Sequence, residues 1–103
     1  MAHELSEKLA GLTSRVNNLA IEATGEPSRE LLALQKRLTE QTLEAIAADL
    51  DAQDAAYKRA MKALDEAIDE IGEAAEAIED VARKIKLAAK AADAVEKLLK
   101  KLV

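Results

Sequence analysis

A chain of 103 residues with no cysteine, tryptophan or phenylalanine has no disulfide, no thiolate chemistry and no Cys-based metal site. Tyr57 is its only aromatic residue, so the core must be built from aliphatic side chains. A formal charge of −5, with a single aromatic residue in the chain, argues against nucleic acid as a partner.

Three glycines, one proline and a high share of charged residues are the composition of a helical bundle or coiled coil in a single domain spanning 1–103. The β-branched residues are scattered at helical spacing and offer no strand. The opening residues Met1-Ala2-His3-Glu4 lack the basic stretch and apolar run of a signal peptide. No segment approaches the roughly 18 apolar residues that span a bilayer. A cytoplasmic protein is the expectation, in keeping with the missing cysteine.

Leu5, Leu9, Leu12, Val16, Leu19 and Ala23 alternate steps of four and three, which predicts an amphipathic first helix over 4–24. Thr24-Gly25-Glu26-Pro27-Ser28 ends it. Glycine tolerates the left-handed conformation that closes many helices, and proline suits the first turn of the next. Ser28 is a candidate N-cap, with Glu30 near the positive helix end. So short a connection folds the first helix back antiparallel on the second. There Leu31, Leu32, Leu34 and Leu38 widen the apolar face enough to cover a hairpin partner and something more.

From Thr39 the same alternation continues without losing phase: Leu43, Ile46, Leu50, Gln53, Tyr57, Ala60, Leu64, Ala67, Ile71, Ala74, Ile78, Val81, Ile85, Ala88, Ala92, Val95, Leu99 and Leu102. Such a stripe needs another helix to cover it. The run through Asp49–Asp54 contains neither glycine nor proline, so the pattern predicts one helix over 28–102, on the order of 110 Å long. Gly72 is read as tolerated inside it, for about 1 kcal/mol of propensity. The alternative is a break between 49 and 55, capped by Asp51 or Asp54, which gives a three-helix bundle. An unbroken helix of that length outruns the first helix, so its apolar residues form a self-association seam between chains.

Charge points to an antiparallel pair. Eight acids and no base lie between Asp65 and Asp80, whereas seven bases face two acids from Val81 to Val103. An antiparallel dimer sets unlike blocks side by side, while the apolar seam supplies the affinity. Gln53 and Thr39, polar within the seam, would then fix the alignment.

Catalytic chemistry finds no foothold. The single histidine, His3, lies at the terminus, and its i, i+4 spacing with Glu7 has no second ligand pair. Glu66, Glu70 and Glu73 share a face, but the Glu-x-x-His motif of di-metal bundles is absent, and no glycine-rich loop could cradle a phosphate. These residues point to a non-catalytic interaction or structural protein, without cofactor or metal, that forms a homo-oligomer or meets an unidentified protein partner. Two alternatives stand beside it. The cationic amphipathic segment 81–103 could lie on an anionic membrane surface, and the acidic run 65–80 could mimic an anionic surface.

Overall fold

The computed structural model describes residues 3–48, 53–72 and 78–100. They form α1 (His3–Glu22), α2 (Glu26–Ala47), α3 (Ala55–Gly72) and α4 (Ile78–Lys100); no strand occurs among the described residues.

The first turn follows the expected chemistry. Gly25 takes a positive φ of 71°, a conformation that a side chain would strain, and Pro27 sits in the first turn of α2. Ser28 behaves differently from the expectation. Its hydroxyl donates to the Ala20 carbonyl at 3.2 Å, stitching α2 to α1, while no side chain caps α2.

The single helix over 28–102 is not formed. α2 ends at Ala47, where Ala48 is extended and its N–H turns back to the Ala45 carbonyl. The Asp54 carboxylate then accepts the Ala56 N–H at 2.7 Å and starts α3 as an N-cap. Gly72 is the last described residue of α3, and 73–77 lie outside the described residues. The break falls where the three-helix alternative placed it, and the described residues form four helices. Burial explains the outcome. Folding back covers the α3 and α4 stripes with α1 and α2, whereas a 110 Å rod would have left them in water. The molecule measures 38 × 19 × 18 Å.

Side-chain pairs give the helix directions. Lys8 bonds Asp65, and Arg15 lies beside Gly72, so contacts advance together along α1 and α3 and the two run parallel. Arg83 pairs with Glu70 at 3.1 Å, while Lys97 lies across a groove from Arg59, so α3 and α4 are antiparallel. α4 also packs on α2, where Arg37 reaches both Asp93 and Glu96 at 2.7 and 3.0 Å. Two antiparallel hairpins are thus stacked with α1 on α3 and α2 on α4.

Leu5, Leu9, Leu12 and Val16 of α1 meet Leu31 and Leu38 of α2, Leu64 and Ala67 of α3, and Ala88, Ala92 and Val95 of α4 in one buried cluster. Among the described residues three polar side chains, Ser6, Gln41 and Lys84, are buried with it. Gln41 is buried; its Nε2 donates to the Ala92 carbonyl at 2.9 Å, and its Oε1 has no partner. The carbonyl dictates which end of the amide faces α4, so a flip would only exchange one unmet group for a repulsion. Gln53, expected to be the buried glutamine, is exposed.

Replacing Gln41 by leucine removes the unsatisfied oxygen and should stabilise the fold by about 1 kcal/mol. Thermal unfolding should move up by roughly 4–8 °C, and an unchanged or lower midpoint would mean that Oε1 is hydrated. Gln53→Leu should leave the midpoint where it is. The Lys8–Asp65 pair gives a pH signature. Hydrogen bonding to Asp65, reinforced by the Asp65, Glu4 and Asp69 charges against some desolvation, holds the Lys8 pKa above the ordinary 10.5. A raised lysine pKa stabilises the fold below the unfolded value and ceases to do so as pH climbs through the folded one. The stability gap between the wild type and Lys8→Met should therefore be flat from neutral pH to about 10 and narrow above it; a gap that widened would reverse the assignment.

Candidate interaction face

The hairpin of α1 and α2 carries two apolar stripes on α2, and the bundle uses one. Leu31, Leu34, Leu38, Gln41 and Ala45 face inward. Leu32, Leu43 and Ile46 are 53%, 65% and 63% exposed, and Ile21 of α1 is 74% exposed. Leu32, Thr39, Leu43 and Ile46 recur at helical spacing and share one side of α2. On that side a groove of about 300 Å³ runs between the two helices, lined by Ala10, Thr13, Ser14, Thr39, Thr42 and Leu43. No charge lines it, although about a third of the chain is charged.

The threonines of this groove are already satisfied. The Thr13 hydroxyl donates to the Leu9 carbonyl at 2.7 Å, Thr39 to Gln35 at 2.8 Å and Thr42 to Leu38 at 2.7 Å. Each is an i−4 bond that turns the hydroxyl into its own helix. Water can therefore leave without orphaning these three donors, and the penalty for burying them is removed in advance; Ser14, exposed at the groove's edge, is not bonded in this way.

Two other grooves are charged. The larger, about 450 Å³ between α3 and α4, has Ala56, Ala63 and Ala94 in its wall and is rimmed by Arg59, Lys62, Lys90 and Lys97 against Glu66 and Asp93. Another, about 260 Å³ between α2 and α4, collects Arg37, Glu40, Glu44, Glu96 and Lys100 around Gln41 and Leu99. Among the described residues no group of three or more His, Asp or Glu side chains is placed to hold a metal.

Most of the predicted seam is spent inside the chain. Tyr57, Ala60, Leu64, Ala67, Ile71, Ala88, Ala92, Val95 and Leu99 are buried in the core, with Val81 and Ile85 half-buried against it. Leu43 and Ile46 are the two seam residues left in solvent. Leu50, Ala74 and Leu102, and the side chain of Ile78, lie outside the described residues. Lys84 is buried at 2% exposure, a position the sequence places in a solvated basic block.

The alternatives meet the same geometry. The apolar face of segment 81–103 contributes Ala88, Ala92, Val95 and Leu99 to the core, so α4 would have to leave the bundle to lay that face on lipid. No helix among the described residues is long and apolar enough to cross a membrane. Within the acidic run, Asp65 is bonded to Lys8 and Glu70 to Arg83, and 73–77 lie outside the described residues.

The two α2 stripes differ in what truncation costs. Leu38→Ala should destabilise the fold by about 2–5 kcal/mol, whereas Leu43→Ala in dilute solution should change it by less than about 0.5 kcal/mol. Denaturant titration compares them, and equal losses would mean that Leu43 is covered within its own chain.

Comparison with protein-family models, curated proteins and solved structures finds no match for this chain, so what the face does rests on its own chemistry.

Proposed function

We propose that this chain is a non-catalytic helical interaction protein that self-associates, and that the contact is made by the outer face of α2. One observation carries the reading: Leu32, Leu43 and Ile46 stand exposed beside an uncharged groove whose threonine hydroxyls are already bonded. Isolated exposed leucines need no explanation, but large apolar side chains recurring along one side of a helix beside an uncharged groove suit a contact.

The magnitudes favour reversible association. Covering an exposed aliphatic side chain gains about 1.5–3 kcal/mol, and a two-fold contact counts each residue twice. That gross gain has to exceed an association penalty of about 4–15 kcal/mol. The two ranges overlap, so the copy-to-copy contact is a reversible one that responds to protein concentration. The lack of cysteine fits action in a reducing compartment such as the cytoplasm.

Sedimentation equilibrium over a concentration series tests the proposal. The wild type should show a monomer–dimer equilibrium, and Leu43→Glu combined with Ile46→Lys should shift it to monomer while helical circular dichroism is unchanged. A wild type that stays at about 11 kDa throughout would overturn it.

A further inference from the structure

We infer that two copies pair along α2 in an antiparallel arrangement, with the two-fold axis passing beside Thr39. The inference rests on the self-association proposed above and names its geometry.

The outer face of α2 is self-complementary about that residue. In antiparallel register about Thr39, Leu32 falls opposite the partner's Ile46, and Ile46 opposite the partner's Leu32. Leu43 lies over the stem of the partner's Lys36, whose methylenes are themselves apolar. On the flank away from α1, Lys36 lies about one helical step from the partner's Glu40, and symmetry repeats the pair. Lys36 and Glu40 are both exposed and neither is tied into an ion pair between helices. Glu40, one residue from the axis, also approaches its own copy, so two unlike contacts stand against one like contact; a parallel in-register pairing would set Lys36 on Lys36 and Glu40 on Glu40 with no unlike pair to offset them.

The residue at the axis suits its place. Thr39 meets its own copy there, and a hydroxyl in need of a partner would oppose burial. Its hydroxyl is already donated to Gln35 at 2.8 Å, so a methyl group faces the partner. Thr42, close by toward α1, is bonded in the same way. Helices that pack 8–10 Å apart bring residues at such an axis within disulfide range.

A chain without cysteine makes the test clean. Thr39→Cys should form a covalent dimer under mild oxidation. Leu32→Cys and Ile46→Cys should each cross-link poorly alone, but readily as a mixed pair when the two proteins are combined. Lys36→Glu should weaken dimerisation several-fold, as should Glu40→Lys, and the double exchange should restore it; circular dichroism checks that each variant is folded. A dimer in which Leu32→Cys links to itself as well as Thr39→Cys does is parallel, and would overturn the register while self-association stands. A dimer with no Thr39 cross-link would do the same. A wild type that remains monomeric throughout a concentration series removes both claims.

Discussion

Every helix in this protein has an apolar stripe, and no stripe can be left in water without cost. Without phenylalanine or tryptophan, the chain must bury many small aliphatic side chains instead of a few large ones. That demand explains why the back half does not run on as a rod. Four short helices cover one another around Leu5, Leu9, Leu12, Leu38, Leu64 and Val95, and alanines at 60, 67, 88, 91 and 92 let the helix backbones approach closely. The polar pairs Lys8–Asp65, Arg37–Asp93 and Glu70–Arg83 lie at the margins of this packing. Exposed pairs of this kind contribute little stability; their value is in selecting which helix lies beside which.

Much of this could be read from the residues. The α1 stripe, the Gly25–Pro27 turn and the antiparallel first hairpin follow from spacing and from backbone chemistry that only glycine and proline supply. The break after Ala47 was harder to see, for a specific reason. The unbroken alternation from Thr39 to Leu102 joins two stripes with different fates. Thr39, Leu43 and Ile46 belong to the outer face of α2, whereas Tyr57, Ala60 and Leu64 belong to the core. The stripe that α2 buries ends in Gln41 and Ala45, and the step from Ala45 to Tyr57 does not fit the 4-3 rhythm. Phase was lost across 49–54 on the inward face, and the outer face disguised it. A polar Gln41 at a core position made the true stripe look weaker than its rival.

The exposed apolar side of α2 was legible in a different form. The crowding of Leu31, Leu32, Leu34 and Leu38 already indicated a helix with more apolar surface than one partner could hide. What spacing could not supply was the choice between the two sides, because that depends on how the Gly25 turn and the Ser28–Ala20 bond rotate α2 against α1. Nor could it show that the Thr13, Thr39 and Thr42 hydroxyls are turned inward. That detail separates a face ready to be dehydrated from one that is merely uncharged. The hairpins thus differ in their surfaces: the groove between α3 and α4 is rimmed by charge, while the groove between α1 and α2 is lined by none.

The central claim, that copies meet on the outer side of α2 while the α3 and α4 stripes stay within the chain, can be read residue by residue. In a dilution series followed by amide chemical shifts, concentration-dependent changes should cluster at Leu32, Lys36, Thr39, Leu43 and Ile46 and spare Tyr57, Leu64, Ala92 and Val95. Changes centred on the latter set, or none at any concentration, would contradict the account.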